Sequence, residues 1–199
     1  MLNEENTKRK EKITQERLVE VSARLFRKNG YQATTMQEIA DHLNIKKGSI
    51  YYYIKTKEDL LYNIVQMSMN MLLDRTKGIY SENIDARKKI RKLMETHIKM
   101  ITDNITLFSV SLYDVNKTNA SLYWNDIVQL RDQYEEIVQG ILEQGMREGL
   151  FKSYNIKLSL LALLGMMNWI VRWYNPEYRE NLDDIVETWI DIFLHGIAQ

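Results

Sequence analysis

Apolar residues recur through most of this chain at the spacing of one face of an α-helix. In residues 13–26 they fall on a single stripe, which predicts an amphipathic helix. Asn29 and Gly30 follow directly, and both residue types tolerate the left-handed backbone conformation that ends many helices. We therefore predict a first helix that closes at Gly30.

Two short helices joined by a tight turn are predicted next. Thr35 and Glu38 have the spacing of a capping box, in which the threonine hydroxyl accepts from a free amide and the glutamate reaches back to the cap. Asn44 is a turn residue, and residues 46–53 form a further short helix that buries Ile50. A longer helix followed by two short helices and a turn is the order of a helix-turn-helix.

The rest of the chain has the pattern of longer helices. A fourth helix begins at Thr56 and continues towards Leu73, and further helical patterns cover residues 88–101, 107–115, 122–144, 156–174 and 182–197. One proline and eight glycines in 199 residues leave few breaks between them. We predict an all-α protein in two parts: a helix-turn-helix head over residues 8–57 and a larger helical body over residues 58–199.

Composition and charge narrow the function. Cysteine is absent, which excludes disulfides, thiolate metal sites and a cysteine nucleophile. Twenty-seven basic and twenty-seven acidic residues cancel, but residues 8–57 hold twelve basic residues against five acidic ones, whereas residues 61–199 hold fifteen against eighteen. A basic segment on a mildly acidic body is typical of a head that contacts DNA. Helix faces that are simply solvated would give the same count.

In a helix-turn-helix the second short helix enters the major groove of DNA. The candidates for contact are the positions of this helix that the head core does not need: Lys46, Lys47, Gly48, Ser49, Tyr51, Tyr52 and Tyr53. Lysine and serine can bind phosphates or base edges. Lys57 lies in the first turn of the fourth helix, where the helix dipole disfavours a cation, and a phosphate partner would explain it. The competing interpretation is a helical bundle with half-buried tyrosines.

A run of motifs supports the first interpretation. It comprises Gly30, Thr35, Ile39-Ala40, Lys47-Gly48-Ser49-Ile50-Tyr51-Tyr52-Tyr53, Lys57-Glu58 and Leu60-Leu61. In order and spacing this run resembles the DNA-binding domain of TetR-family transcriptional regulators. Asn44 stands where the family often has glycine, and Tyr53-Ile54 replaces a frequent His-Phe pair, which changes a phosphate contact.

The resemblance implies roles for individual residues. Phosphates would be held by Thr35, Tyr52, Tyr53 and Lys57. Bases would be read by Gln37, Lys47 and Ser49. It also implies a dimer and a body that senses a small molecule.

The helix over residues 156–174 is apolar on nearly all sides, and such a helix cannot face water. The simplest cover for the last two helices is a second copy of themselves, in a four-helix interface about a two-fold axis. That symmetry places two recognition helices about 34–36 Å apart, one turn of DNA. The alternative is a monomer that buries this helix in its own core. Because the most hydrophobic stretch, residues 158–173, is short and carries Asn168 and Arg172, we expect no membrane span and a soluble, cytoplasmic protein.

Aromatic and methionine side chains in the body can line an apolar cavity, although a packed core would use the same types. The candidate ligand-binding residues are Phe108, Tyr113, Tyr134, Asn168, Trp169, Arg172 and Trp173. A partly buried Arg172 needs an anion. That anion is either Glu187 or Asp191 of the last helix, or a carboxylate, phosphate or thioester-bearing ligand.

The end of the chain carries a second resemblance. Residues 165–169, 172–174 and 193–197, together with Pro176, are similar to the C-terminal region of TetR regulators that respond to acyl-CoA thioesters. The resemblance implies an acyl-CoA effector.

We therefore expect a ligand-responsive dimeric regulator, most simply a repressor that binds a palindromic double-stranded DNA operator and is released by its effector. The alternative is a DNA-binding protein whose body recruits a protein partner and holds no small molecule. Three dispersed histidines, no phosphate-binding loop and no nucleophile elbow argue against an enzyme, and we expect no metal and no cofactor. His97, on an apolar helix face, is expected to be a satisfied core residue.

Overall fold

The computed structural model describes residues 14–113, 123–175, 177 and 181–197, apart from the side chain of Tyr113. Within these ranges the chain forms α1 (Gln15–Asn29), α2 (Met36–His42), α3 (Lys47–Ile50), α4 (Lys57–Ser81), α5 (Ala86–Asp103), α6 (Ile105–Tyr113), α7 (Trp124–Arg147), α8 (Ile156–Trp173) and α9 (Leu182–Ile197). The prediction of an all-α fold is confirmed. Residues 8–13 of the predicted head, and residues 114–122 between α6 and α7, lie outside the described part.

Helices α1, α2 and α3 form the head around a shared apolar core. The hydroxyl of Thr14 caps α1 by accepting from the amide of Arg17 at 3.2 Å. Gly30 has a φ of 86°, which glycine adopts without strain, and it ends α1 as predicted. Asn44 has a φ of 55° in the turn between α2 and α3, and asparagine tolerates this left-handed conformation.

Helix α4 joins the head to the body. A capping box fixes its start: the hydroxyl of Thr56 accepts from the amide of Asp59 at 3.1 Å, and the Asp59 carboxylate accepts from the amide of Thr56 at 3.0 Å. Leu60 and Ile64 in its first turns are buried in the head core, whereas Leu72 is buried in the body core. The predicted boundary between head and body therefore falls in the first turn of a helix that both parts share.

Helix α5 is the centre of the body and packs against α4, α7, α8 and α9. Its residues Ile90, Leu93, Met94 and Ile98 are fully buried, as the apolar stripe on this helix predicts. Because α8 and α9 both pack on α5, they form the outer layer of the body.

A buried lysine holds the ends of α4, α5 and α7 together. The ammonium of Lys89 donates to the carbonyl of Tyr80 at 2.6 Å and to Gln144 Oε1 at 2.9 Å. Gln144 in turn donates to Glu148 at 2.6 Å. The lysine thereby satisfies a carbonyl at the end of α4 that has no partner within the helix. The apolar periodicity of α5 does not single out Lys89.

Gly145 lies where α7 passes the buried ring of Phe151. A Cβ at this position would lie 2.0 Å from Phe151 Cδ2. We predict that Gly145→Ala lowers the free energy of unfolding by about 1–3 kcal/mol, the usual cost of overpacking a core, measured by chemical denaturation. The matched control is Gly78→Ala in α4, where a Cβ meets nothing within 4 Å and alanine should stabilise by about 0.5–1 kcal/mol. Equal effects of the two substitutions would contradict this packing.

Candidate functional site

Helix α3 presents most of its predicted contact residues to solvent. Ile50 is fully buried and anchors the helix in the head core. Lys46, Lys47 and Gly48 are exposed, and Ser49 is half-buried. Within the described part of the chain, neither lysine side chain makes a hydrogen bond or an ion pair. Their N–H donors are therefore available to a ligand.

Three consecutive tyrosines follow in the turn after α3. Tyr51 and Tyr53 are about half-exposed, and Tyr52 is 89% exposed. The next residue, Ile54, is buried and returns the chain to the head core. An aromatic side chain as exposed as Tyr52 packs little against the part of the chain that the structure describes, whereas its hydroxyl suits a phosphate oxygen.

Two further predicted contacts lie at the start of α2. The hydroxyl of Thr35 caps the helix by accepting from the amide of Glu38 at 3.1 Å. The other half of the predicted capping box is replaced, because the Glu38 carboxylate accepts from the side chain of Asn29 at 2.6 Å. Gln37 is exposed and its amide donates to Asp41 at 2.7 Å, which holds the side chain on the surface of α2.

Lys57 is held differently from the lysines of α3. Its ammonium donates to the carbonyls of Tyr31, Gln32 and Thr34 at 3.0, 3.2 and 3.1 Å. It also lies 4.5 Å from the centre of the Tyr31 ring. All three donors of the ammonium are occupied, so the predicted phosphate contact would have to displace at least one of them.

Besides the apolar contacts of α6 and α7 with the head core, polar and aromatic side-chain contacts join the head to the body. The guanidinium of Arg27 in α1 donates to the hydroxyl of Thr106 in α6 at 3.0 Å. The hydroxyl of Tyr123, just before α7, donates to the Asp59 carboxylate that caps α4, and its ring stacks on Tyr62 with centroids 4.4 Å apart. A displacement of α6 or of the start of α7 would therefore strain the head.

The centre of the body contains a polar cluster of His97, Tyr134 and Asn168, from α5, α7 and α8. His97 Nδ1 lies 2.6 Å from the Tyr134 hydroxyl, and Nε2 lies 3.0 Å from Asn168 Oδ1. Because an amide oxygen only accepts, Nε2 carries the proton and the tyrosine donates to Nδ1. Burial lowers the pKa of His97 to about 4, against the opposing effect of the Asn168 hydrogen bond. The expectation of a satisfied core histidine is confirmed.

The other predicted ligand residues are divided between the interior and the surface. Phe108 is buried in the body core, and Trp173 is half-buried with its ring edge-on to Trp189 at 6.0 Å. Trp169 and Arg172, in contrast, are exposed on the outer side of α8. The side chain of Tyr113 lies outside the described residues.

Both carboxylates predicted as partners of Arg172 have partners of their own. Glu187 accepts two hydrogen bonds from Arg91 at 2.5 and 2.6 Å. Asp191 lies 3.1 Å from His195 Nδ1. An ion pair between Arg91 and Glu187 links α5 to α9, and the sequence pattern did not indicate Arg91.

The outer face of α8 and α9 is apolar and exposed. Leu158, Leu161, Trp169 and Ile192 are 49–65% exposed. Between the two helices runs an open groove of about 400 Å³, whose lining includes Leu158, Ile192, Ala162, Met166 and Gly196. A second open cleft, of about 350 Å³, lies between α1 and the α5–α6 junction. Among the described residues, only α8 is long and apolar enough to cross a membrane, and its inner face is buried in the body core.

The head and the body each match a known family. The profile of the bacterial regulatory proteins of the tetR family matches residues 18–64, and that of the tetracyclin repressor-like C-terminal domain matches residues 83–197. The chain belongs to the TetR family. As a TetR-family protein it is a transcriptional regulator, and not an enzyme.

Relatives of this TetR-family protein match along almost their full length. The chain is 26% identical to the transcriptional repressor KstR2 of Rhodococcus jostii over 182 residues, which cover 91% of this chain and 89% of KstR2. It is 21% identical to the fatty acid metabolism regulator protein of Bacillus subtilis, with coverage of 90% and 93%. The structure of AibR in complex with isovaleryl coenzyme A and operator DNA has the same fold, with a TM-score of 0.80 at 22% identity and coverage of 89% and 96%.

The buried His97 makes the stability of this TetR-family protein depend on pH. The folded pKa lies below the unfolded value of 6.5, so the unfolded chain binds a proton first and stability falls as the pH drops from 6.5 towards 4. The expected loss from this group between pH 7 and pH 5 is about 2 kcal/mol. Denaturant unfolding at the two pH values should register this loss in the wild type.

The variant His97→Gln can keep both hydrogen bonds but does not titrate, so its loss over the same interval should be smaller by about 2 kcal/mol. The control His42→Gln removes an exposed ring and should leave the wild-type pH dependence. If the unfolding free energy of His97→Gln changes with pH as much as that of the wild type, the burial of a neutral histidine is contradicted.

Proposed function

We propose that this TetR-family protein is a dimeric, cytoplasmic repressor that binds a palindromic operator through α3 of each subunit. We further propose that an acyl-CoA thioester bound in the body releases it. The observation that carries the proposal is the exposed segment 46–53, whose lysine and tyrosine side-chain donors meet no group in the described part of the chain while Ile50 fixes the segment to the head core.

The exposed residues of the head suit distinct roles on DNA. Lys47, Ser49 and Gln37 carry donors that can reach base edges in the major groove. Lys46, Thr35 and the three tyrosines, 51–53, suit phosphate oxygens, which position the helix without reading sequence. Gly48 has no neighbour within 4 Å of a Cβ position and permits a close approach of the helix to DNA.

The outer face of α8 and α9 supports a dimer. Large apolar side chains such as Leu158, Trp169 and Ile192 cluster there with the small residues Ala162 and Gly196 around the groove. Apolar patches of this kind are uncommon on monomers, and small residues allow two helices to approach closely. A second copy of the same face, related by a two-fold axis, would cover them and pair the two heads.

We predict that Trp169→Glu combined with Ile192→Glu yields monomers, because each subunit would bury unpaired carboxylates in the interface. Light scattering on a sizing column should give about twice the chain mass of 23.7 kDa for the wild type, and the single mass for the variant. The control Trp124→Glu changes an exposed tryptophan at the start of α7 and should remain dimeric. A wild-type monomer would contradict the proposal.

Three features support an acyl-CoA effector. The relatives include a fatty acid metabolism regulator protein, and AibR has been crystallised with isovaleryl coenzyme A. The body core is apolar around Phe108 and rich in methionines that adapt to a ligand chain. The cluster of His97, Tyr134 and Asn168 provides polar groups inside that core, and a thioester carbonyl could bind there by replacing one of the hydrogen bonds within the cluster.

Release would follow from the contacts between head and body. A ligand that separates α5, α7 and α8 would displace α6, which packs on α1 and carries Thr106, the partner of Arg27. The heads of a dimer would then no longer fit both half-sites. The ligand can weaken operator binding only as far as it prefers this second arrangement.

The effector proposal is tested on an operator duplex, which is first identified by letting the protein select its binding sequence from a pool of random DNA duplexes. Fluorescence anisotropy should show operator affinity falling about tenfold or more with at least one acyl-CoA in a series from short to long chains. The same compound should raise the melting temperature in the absence of DNA. Free coenzyme A and the matching fatty acids serve as controls. Operator affinity unchanged across the whole series would remove this effector class.

The groove between α8 and α9 favours one second candidate, a DNA-binding protein whose body recruits another protein. Its apolar lining and its openness to solvent suit a partner helix. The sizing experiment separates the two candidates, since this alternative requires a wild-type chain that stays monomeric and leaves the groove free.

A further inference from the structure

The start of α4 is bonded to the loop between α1 and α2 through two neighbouring residues. The Lys57 ammonium donates to three loop carbonyls, those of Tyr31, Gln32 and Thr34, at 3.0–3.2 Å. The Tyr31 ring lies beneath the cation, and the hydroxyl of the same tyrosine donates to Glu58, the next residue of α4, at 3.1 Å. Two neighbouring residues of α4 therefore hold one loop.

The loop that Lys57 holds sets the position of α2. Thr34 is fully buried, and its hydroxyl donates to the carbonyl of Gly30 at 2.9 Å. The next residue, Thr35, caps α2, and Gln37 lies in the first turn of that helix. A shift of the loop would therefore move both of these proposed DNA contacts.

The bonding of Lys57 differs from that of Lys46 and Lys47. An ammonium has three donors, and those of Lys57 all meet backbone carbonyls, whereas those of Lys46 and Lys47 meet no group in the described part of the chain. Three converging carbonyls also satisfy a cation at the start of α4, where the helix dipole is unfavourable to it. No phosphate is needed to explain a lysine at this position.

We propose that Lys57 is a positioning residue for DNA recognition: it clamps the α1–α2 loop so that Thr35 and Gln37 meet the operator, and it does not contact a phosphate. The inference rests on the proposed operator binding. It separates Lys57 from the exposed lysines by a measurable property, because each phosphate that a lysine neutralises adds about 0.9 to the salt slope of the affinity.

The test compares Lys57→Met, Lys57→Arg and Lys47→Met on the selected operator and on a scrambled duplex over a range of salt concentrations. Lys57→Met should weaken operator binding about tenfold and binding to the scrambled duplex by less, since only Gln37 of the two displaced contacts reads bases, while the salt slope stays at its wild-type value. Lys57→Arg should behave in the same way, since a planar guanidinium cannot donate to the same three converging carbonyls. Lys47→Met should lower the salt slope by about 0.9 for each phosphate that Lys47 neutralises in the wild-type complex.

Two outcomes would overturn the proposal. A salt slope reduced in Lys57→Met and restored in Lys57→Arg would identify a phosphate contact, because either cation serves a phosphate. If folded Lys57→Met binds both the operator and the scrambled duplex with wild-type affinity, the lysine contributes to stability but not to DNA recognition. The melting temperature of each variant establishes that it is folded at the assay temperature.

A measurement on the wild-type chain covers the case in which the variants do not fold. Lysine acetylation at a low reagent concentration, followed by mass spectrometry, should modify Lys57 slowly both with and without DNA. Lys47 should be modified rapidly in the free chain and be protected by DNA. Rapid modification of Lys57 in the free chain would contradict the clamp. If the wild-type chain binds no duplex, the proposed function fails, while labelling of the free chain still decides whether the clamp exists.

Discussion

Helix α4 belongs to two hydrophobic cores at once, and this constraint determines how the head is attached to the body. Leu60 and Ile64 are buried among head residues, and Leu72 and Leu73 are buried in the body. Its twenty-five residues form one helix about 37 Å long at 1.5 Å per residue. Because the helix is continuous, its two ends cannot move independently. A rearrangement of the body that moves α4 therefore also displaces its capped first turn beside α3.

Polar side chains that are buried or partly buried add a second kind of constraint. Lys57, Lys89 and His97 each connect elements distant in sequence, and each has its hydrogen-bonding groups satisfied. A buried polar group without a partner costs about 1–3 kcal/mol, so each of them disfavours arrangements in which its partners are displaced. Apolar contacts alone tolerate such sliding more readily. The polar groups therefore favour one relative position of the packed helices over others that would bury a similar apolar area.

Local signals in the sequence predicted much of this fold. The stripe that ends at Gly30, the cap at Thr35 and the start of α4 at Thr56 depend on residues a few positions apart, and each is present in the structure. The bounds of α9 also agree with the pattern of residues 182–197. The exposure of Lys46, Lys47 and Tyr52 followed from their being superfluous to the head core, which is again a local property.

Contacts between distant residues could not be predicted in the same way. Lys57 has the motif of a phosphate-binding residue, and its carbonyl partners lie 23–26 positions earlier. Helix α8 is apolar on nearly all sides, so the periodicity does not show which of its faces is buried. In the structure Trp169 is exposed, whereas its neighbour Asn168 bonds to His97 inside the body. Sequence alone likewise does not reveal that Arg91 of α5 binds Glu187, one of the two carboxylates predicted as partners of Arg172.

The neutral imidazole inside the body has a consequence for signalling in the cell. Since His97 takes up a proton in the folded chain only near pH 4, moderate intracellular acidification leaves the charge at the centre of the body unchanged. A metabolic acid that lowered the pH of the cytoplasm would therefore not, through this group, imitate an effector. Protonation of His97 would therefore contribute nothing to a response at the pH values that such acidification reaches.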